Sequence, residues 1–483
     1  MSEISQLEPQ SIWSIFEEIT KIPRPSKGEE RIAAWLVDFA KEHSLEWKRD
    51  SIGNVAIYKP ASQGYEDRAT VVLQAHMDMV CEKNSDVDFD FNTDSIKTYI
   101  KDGWVTADGT TLGADCGIGM AAALAVLIDP TLEHGRVEVL FTVDEESGLT
   151  GAFELESDMI SGQLLINLDS EDEGELFIGC AGGIDSVATF KYKAESAPAA
   201  YTFFRIDVNG LRGGHSGDDI NKGLANANKV ICRLLLQGQQ LYNLRLSYVD
   251  GGNIRNAIPR EAYAIFGIPS KYIDEFMHSY NILLDEISEE YSTREPDMHI
   301  TINEMPEIDT VMDVETQRRF IVAIIGASNG VITMSQSVEG LVDTSTNLAS
   351  IKFVNNDSII ITTSQRSPSE SSKLYAMQMI ESIFWLAGGD VTHSDGYPGW
   401  IPNLNSKILA KTKECYTELF GYEPKVKAVH AGLECGLFLE QFPGLDMISF
   451  GPTIRGVHSP DERLNIESVG KFWVLLTQLL RRL

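Results

Sequence analysis

The chain is poor in cysteine and has no long hydrophobic run. Its 483 residues include six cysteines, none in a CxxC pair, which argues against a disulfide framework or a thiolate zinc site. The longest apolar run, 118–128, is far shorter than the roughly 18–20 residues that a membrane span needs. The first ten residues, MSEISQLEPQ, are polar and acidic, unlike a signal or transit peptide. These features predict a soluble protein of the cytoplasm.

Positive charge is also scarce. The 40 Lys and Arg residues face 71 Asp and Glu residues, a net charge of −31. Such a surface repels phosphate groups, so neither nucleic acid nor an anionic membrane is an expected partner. The length exceeds the roughly 250–300 residues at which a single core stops growing. The composition therefore predicts a globular protein of two or more domains.

The order of predicted elements divides the chain into three segments. Residues 1–185 alternate short strands with helices, which is typical of a mostly parallel mixed sheet with helices on both faces. Residues 186–396 instead show two successive sets of strands and helices of similar layout, and residues 397–483 return to the first pattern. We therefore predict an α/β domain made of the first and third segments, interrupted by an inserted α+β domain.

Acidic side chains and a histidine follow three of the predicted strands. The strand VVLQAHMD ends at His76 and Asp78, VEVLFTVDEE ends in the acidic residues 144–146, and LLINLDS ends at Asp169. In open α/β sheets, ligands bind outside the carboxyl ends of the strands. The three strand ends are therefore expected to converge on one site.

Two further candidates come from loops. Asp115 lies in LGADCGIG and His458 lies in GPTIRGVHSPDE. Imidazoles and carboxylates without thiolates suit divalent zinc, cobalt or manganese, and two such ions about 3.5–4 Å apart need a bridging carboxylate and can activate one water. Adjacent residues at a strand end point to opposite sides, so Glu146 can bind metal while Glu145 serves as a general base.

The motifs AHMD, GADCG, VDEE, LDS and VHSP, in this order across essentially the whole chain, resemble the metal-binding series of the M20 family of metallopeptidases. The resemblance implies a catalytic α/β domain that holds two divalent ions, with zinc expected first and cobalt or manganese as alternatives. It implies the following ligands: His76 and Asp169 for one ion, Glu146 and His458 for the other, and Asp115 as the bridge.

The resemblance also implies roles for neighbouring groups. Asp78 would orient the imidazole of His76, and Glu145 would activate the water and then protonate the leaving amine. The peptide bond between Asp115 and Cys116 would be cis. The inserted domain resembles the lid of this family, with two similar subunits and a part in dimerisation, so a homodimer is expected.

Two substrate-binding residues are expected in the inserted domain from their motifs. His215, in GLRGGHSGDD, polarises the scissile carbonyl in the family, from the same chain or across a dimer. Its structural alternative is to stabilise a glycine-rich turn. Arg366, in SQRSPSESS, has the guanidinium needed to bind a terminal carboxylate with two hydrogen bonds.

Two more candidates have open alternatives. Asn256, in GGNIRNAIPR, is a possible helper in substrate binding, but Arg255 and Arg260 compete with it. Glu434, in AGLECGLF, has the negative charge needed to hold a free α-amine. Its alternative role is that of a carboxylate at a helix N-terminus, which the helix dipole favours.

Together these features predict metal-dependent hydrolysis of dipeptides with a free N-terminus, including Xaa-His dipeptides such as carnosine. The alternative is an N-acyl or N-succinyl amino acid amidohydrolase of the same architecture, which needs no carboxylate for a free amine. A third hypothesis, a non-catalytic binding module, is disfavoured because every ligand position is filled.

Overall fold

The computed structural model describes residues 3–483. The α-helices are α1 Gln10–Thr20, α2 Glu30–Glu42, α3 Ala114–Ile128, α4 Glu145–Gly148, α5 Thr150–Phe153, α6 Ala227–Tyr242, α7 Ile273–Tyr291, α8 Val314–Gly326, α9 Glu370–Leu386, α10 Lys407–Phe420, α11 Glu434–Gln441 and α12 Ile466–Arg482. The first strands are β1 Glu46–Arg49, β2 Val55–Lys59, β3 Val71–His76, β4 Thr98–Lys101, β5 Trp104–Ala107, β6 Val137–Thr142, β7 Leu164–Asn167, β8 Glu175–Cys180, β9 Gly182–Lys191, β10 Ala194–Ser196, β11 Tyr201–Asn209 and β12 Gly214–His215. The remaining strands are β13 Arg245–Gly251, β14 Ala257–Ile258, β15 Ala262–Pro269, β16 His299–Met305, β17 Thr310–Met312, β18 Gly330–Met334, β19 Val342–Val354, β20 Ser358–Ser367, β21 Asp390–His393, β22 Lys425–Val429, β23 Asp446–Ser449, β24 Ile454–Arg455 and β25 Arg463–Asn465.

The chain forms two compact units. Unit 1 contains the residues up to Gly179 together with Pro402–Ala428 and Leu433–Leu483, and unit 2 contains Cys180–Ile401 and Val429–Gly432. The predicted domain boundaries at residues 186 and 396 stay predictions.

Unit 1 is built on an eight-stranded mixed sheet of order β1-β2-β6-β3-β7-β23-β8-β22. The neighbours β6, β3, β7 and β23 are parallel, whereas β1 with β2, β2 with β6 and β8 with β23 pair antiparallel. The predicted α/β fold with a mixed sheet is confirmed. The prediction of a mostly parallel sheet holds only for the four central strands, because the flanking strands reverse direction.

The centre of unit 1 is almost entirely apolar. Every residue of β3 and β6 is buried, as expected of central parallel strands covered on both faces. Helix α3 contacts both of these strands and α1. Because α3 is rich in glycine and alanine, its backbone can lie close to the sheet and bring its first residues to the strand ends.

Unit 2 is built on a nine-stranded sheet in which neighbouring strands pair antiparallel. One half has the order β16-β11-β15-β13 and the other has the order β19-β20-β9-β21, with β18 added at β19. The halves meet where Gly251 pairs with Ile351.

The two halves of this sheet share one topology. The chain order in one half is β11-α6-β13-β15-α7-β16, and in the other it is β9-α8-β19-β20-α9-β21. In each, the first strand lies between the third and the fourth, the arrangement of a split βαβ unit. Because β9 pairs with β20 and β21, the prediction of two successive sets is wrong, and one set is inserted after the first strand of the other.

Helix α7 was not predicted from the sequence. Helix α7 has 19 residues, but only Phe276, Tyr280 and Ile287 among them are buried. Such a thin apolar stripe gives a weak helical pattern.

Within residues 3–483, no helix is both long and apolar enough to cross a membrane.

Lys229 of α6 fixes the end of α8 in unit 2. Its Nζ donates hydrogen bonds to the carbonyls of Ile324, Ile325 and Ala327, and burial lowers the pKa of Lys229 to about 8. These carbonyls belong to the last turn of α8 and to Ala327, the residue that follows it, where helices lack internal donors.

We expect Lys229→Met to destabilise unit 2 by about 1–3 kcal/mol, since buried carbonyls lose their donor while the apolar stem is retained. The measurement is the shift in the urea unfolding midpoint. The control Lys411→Met changes an exposed lysine on α10 and should stay within about 0.5 kcal/mol of the parent protein. Equal midpoints for the two variants would contradict the capping role.

Candidate metal centre

Three neighbouring parallel strands of unit 1 end beside one another. His76, the last residue of β3, is in register with Thr142, the last residue of β6. Gln74 of β3 is in register with Asn167, the last residue of β7. The segments that follow these strands therefore start at the same edge of the sheet, and their side chains meet there.

Asp115 lies between two histidines at this edge. Its Oδ1 is 3.1 Å from Nε2 of His76, and its Oδ2 is 3.2 Å from Nε2 of His458. Nε2 of His76 is also 3.2 Å from Oδ1 of Asp169, and Nε2 of His458 is 3.1 Å from Oε2 of Glu146. One carboxylate thus joins two groups, each of which contains an imidazole and another carboxylate.

The carboxylates strongly favour positive charge on both imidazoles. Burial opposes a charge on His76, but Asp169 and Asp115 raise its pKa well above the ordinary value. Hydrogen bonds with Asp115 and Glu146 raise the pKa of His458 to about 11. Burial acts against an ionised Asp115, but its bonds with the two histidines outweigh this effect and lower its pKa.

The donor atoms fit divalent cations. Around a tetrahedral ion with bonds of about 2.0–2.1 Å, neighbouring ligand atoms are about 3.3 Å apart, close to the observed 3.1 and 3.2 Å. In the part of the chain that the structure describes, the buried Oδ1 of Asp169 makes no well-aligned hydrogen bond, although Nε2 of His76 lies 3.2 Å away. A buried oxygen needs a partner, and an ion would supply one. These residues could hold two cations, with Asp115 contacting both.

Cys116 lies close to His76 and Asp169, but its thiol does not have the properties of a metal ligand. Its Sγ donates to the carbonyl of Leu168 at 3.5 Å, and burial raises the pKa of the thiol well above its usual value. A neutral thiol is a poor metal ligand. The Asp115–Cys116 peptide bond is cis, as the family resemblance implied.

Asp78 contacts two segments of the site. Its Oδ1 lies 3.2 Å from Nδ1 of His76, so it can orient that ring. Its two oxygens also accept the backbone N–H groups of Glu145 and Glu146, each at 3.1 Å, and the hydroxyl of Ser26 at 2.8 Å. The buried carboxylate therefore fixes the turn after β6 as well as the imidazole.

Glu145 is surrounded by other acidic groups. Burial raises its pKa well above the usual value, and the charges of Asp169, Glu434 and Glu146 raise it further against the opposing effect of His76. A carboxyl group with a raised pKa can accept and release a proton near neutral pH. Its position close to His76 and Glu146 suits proton transfer.

Glu434, at the start of α11, is buried and directed toward two strands. Its Oε2 accepts hydrogen bonds from Nε2 of Gln74 at 2.6 Å and from the hydroxyl of Thr142 at 2.9 Å. Burial raises its pKa to about 8. Among the described residues its buried Oε1 has no hydrogen-bond partner. The side chain thus bonds strand residues and leaves one oxygen for a further donor.

The other three predicted substrate-binding residues lie together in unit 2. Nε of Arg366 donates to the hydroxyl of Ser216 at 3.3 Å, and the N–H of Ser216 donates to the carbonyl of Asn256 at 2.8 Å. His215 precedes Ser216 and pairs with Ala257. His215 and Asn256 line a cavity of about 800 Å³, which Arg260 also lines.

Two further residues of unit 2 bear on these predictions. Arg255, one of the competitors of Asn256, forms an ion pair with Asp185 at 2.9 Å. His430 is buried with Nε2 2.7 Å from the hydroxyl of Ser345, and burial together with the charge of Arg366 lowers its pKa to about 4. At neutral pH the imidazole of His430 is therefore uncharged.

Sequence reasoning missed three buried charged residues that touch the site segments. Arg24 donates to the carbonyls of Met77 and Asp78, and Glu29 accepts the N–H of Asp144 at 2.9 Å. Glu462 accepts backbone N–H groups beside Asp115. The available signal was the position of Glu462 four residues after His458.

Comparison with known proteins places this geometry in context. Residues 72–482 match the model of peptidase family M20/M25/M40. The chain is 44% identical to the cytosol non-specific dipeptidase of Escherichia coli (strain K12), over 100% of this chain and 99% of that protein. Aminoacylhistidine dipeptidase from Vibrio alginolyticus matches with a TM-score of 0.92 at 44% identity, over 100% of this chain and 98% of that one. Aminopeptidase PepT from Bacillus cereus ATCC 10987, at 17% identity and covering 99% of each chain, shares the fold with a TM-score of 0.60.

We expect Asp115→Asn to weaken the binding of both divalent ions, because an amide supplies one neutral oxygen in place of two anionic ones. The loss should exceed the about 10–100-fold cost of removing a residue that only supports a ligand. The measurement is zinc titration of metal-free protein by calorimetry. The control Asp172→Asn changes a carboxylate paired with Arg455 and should bind zinc normally. Unchanged zinc binding by Asp115→Asn would exclude the bridging arrangement.

Proposed function

The chain belongs to peptidase family M20/M25/M40, and on that basis we propose that it is a metal-dependent dipeptidase. The proposed substrates are dipeptides with a free N-terminus, including Xaa-His dipeptides such as carnosine. The carrying observation is Asp115, whose two carboxylate oxygens lie 3.1 and 3.2 Å from two imidazoles. The names of two relatives at 44% identity, cytosol non-specific dipeptidase and aminoacylhistidine dipeptidase, support the substrate class.

The proposed centre uses the two groups that Asp115 joins. Its ligands are His76 and Asp169 for one ion, Glu146 and His458 for the other, and Asp115 for both. Zinc is the proposed metal, with cobalt or manganese as alternatives, because the donors are imidazoles and carboxylates. When bound, such a pair acts as a Lewis acid and lowers the pKa of water toward about 7.

Proton transfer is assigned to Glu145. The four short imidazole–carboxylate contacts involve Asp115, Asp169 and Glu146, so Glu145 is left for a separate task. It accepts a proton from the attacking water and passes that proton to the leaving amine, which balances the hydrolysis. Asp78 supports this step by holding the N–H of Glu145 and facing His76.

The two ends of a dipeptide are assigned to opposite charges. Oε1 of Glu434 accepts a hydrogen bond from the α-ammonium group, since a buried carboxylate and an ammonium form a charge-assisted bond. The guanidinium of Arg366 takes the terminal carboxylate. His215 polarises the scissile carbonyl, and Asn256, which shares its cavity, assists in binding.

Unit 2 is assigned the role of a lid made of two similar subunits. The support is the shared order of strands and helices in the two halves of its sheet. A homodimer and a cytoplasmic location complete the proposal, the latter in line with the word cytosol in the name of one relative.

We expect chelation to remove dipeptidase activity and zinc to restore it, because the proposed reaction needs the two metal ions. The assay follows hydrolysis of carnosine and of several unrelated dipeptides before and after dialysis against a chelator. Activity that survives complete removal of metal would refute the proposed function.

Glu145→Gln should bind zinc normally but hydrolyse dipeptides about 10²–10⁴-fold more slowly, as expected when a general base is lost.

We expect Glu434→Gln to raise the KM for free dipeptides by about 10–100-fold, since a bond to a charged group contributes about 1.5–3 kcal/mol. N-acetylated substrates, which lack the charged amine, should be unaffected. The control Glu440→Gln changes an exposed glutamate on the same helix and should leave both unchanged. If Glu434→Gln has no effect and N-acyl amino acids are hydrolysed, the amidohydrolase alternative replaces the dipeptidase.

A further inference from the structure

Glu462 is a buried carboxylate in the loop that carries His458. Its side chain is 1% exposed, and it lies just before β25. Its N–H donates to the carbonyl of Ser459 at 3.0 Å, and its carbonyl accepts the hydroxyl of Thr106 at 2.8 Å. The backbone of Glu462 is thus fixed to the same loop as His458 and to the neighbouring strand β5.

The side chain of Glu462 accepts four consecutive backbone N–H groups. Its Oε2 accepts from Leu112 at 2.7 Å and from Gly113 at 2.9 Å, and its Oε1 accepts from Ala114 at 2.8 Å and from Asp115 at 3.3 Å. The segment 112–115 ends with the first two residues of α3, and the first amides of a helix have no partner within it. One carboxylate has about four acceptor positions, so the four donors use its full capacity.

Arg24, which is positively charged, also binds the segment 112–115, but through a backbone carbonyl. Its guanidinium donates to the carbonyl of Gly113 and also to the carbonyls of Met77 and Asp78 after β3. Gly113 has φ +69, and a Cβ there would lie 2.6 Å from Nη2 of Arg24. The backbone before Asp115 is therefore held through its N–H groups on Glu462 and through a carbonyl on Arg24.

These contacts connect two side chains that are far apart in sequence. Asp115 is the last residue of the held segment, and His458 lies four residues before Glu462. Oδ2 of Asp115 and Nε2 of His458 are 3.2 Å apart, and this separation decides whether both can reach one ion. His458 has φ 59, a conformation that surrounding contacts must maintain in a non-glycine residue.

We infer that Glu462 is a positioning residue, which sets the distance between Asp115 and His458. It thereby sets the affinity for the ion that is assigned to Glu146 and His458. The inference rests on the proposed metal pair. It differs from a purely structural role, in which the carboxylate only stabilises the start of α3. A structural role would affect unfolding but would not affect metal affinity in the folded protein.

The chain offers a matched control in Glu138 of β6. It is also 1% exposed, and it accepts the N–H groups of Ser161 and Gly162 and the hydroxyl of Ser161. Glu138 is the second residue of its strand, whereas the site follows the last. Glu138→Gln therefore removes a similar set of backbone contacts without touching the metal segments.

The experiment compares zinc binding by the parent protein, Glu462→Gln and Glu138→Gln, by titration of the metal-free proteins with a competing chelator. In Glu462→Gln an NH₂ group faces two of the N–H donors, so the segment must shift. We expect the dissociation constant of the more weakly bound ion to rise about 10–100-fold, the range for losing a residue that orients a ligand. The KM at saturating zinc should be unchanged. Glu138→Gln should lower the melting temperature and keep the parent affinity.

Glu462→Asp covers the case in which the glutamine variant does not fold. It keeps the charge but is one methylene shorter, so it reaches fewer of the four amides, and its zinc affinity should lie below that of the parent protein. Parent affinity in either folded Glu462 variant, or a loss no greater than in Glu138→Gln, would overturn the inference. A parent protein that binds no zinc pair would instead refute the proposed function.

Discussion

Mutual repulsion among carboxylates is the constraint that governs the centre of unit 1. Glu145 is affected by the charges of Asp169, Glu434 and Glu146 at once, and Asp115 lies between two imidazoles. Like charges in a partly buried site are stable only beside positive charge or as protonated groups. The raised pKa values of the histidines and of Glu145 are two expressions of this need. The proposed pair of divalent cations would satisfy it more completely.

Holding these groups together requires a second layer of buried acidic residues. Asp78 accepts the amides of Glu145 and Glu146, Glu29 accepts that of Asp144, and segment 112–115 is held in the same way. A hydrogen bond to a charged group contributes about 1.5–3 kcal/mol, about twice that of a neutral pair. These bonds hold loops and the first turns of α3 and α4, and they give this backbone the rigidity that a metal site needs.

Much of unit 1 could be predicted from local patterns. The apolar strands β3, β6 and β7 and the small-residue helix α3 follow from short stretches of sequence, because strand and helix periods repeat within a few residues. The polar residues that follow each strand were also visible in the sequence. Helix α7 was missed because its apolar stripe is thin, and the order of the sheet in unit 2 was wrong because β9 pairs with strands that follow more than 160 residues later.

The sequence by itself determined which side chains are available, their position at the ends of strands or in adjoining loops, and the family to which the chain belongs. Only the tertiary structure decided that Asp115 faces both imidazoles and that Glu434 bonds Gln74 rather than its own helix. It also decided that Glu462 accepts amides some 350 residues away. The reason is physical: secondary structure follows from neighbours along the chain, whereas a carboxylate and its partner are joined by packing that no local spacing encodes.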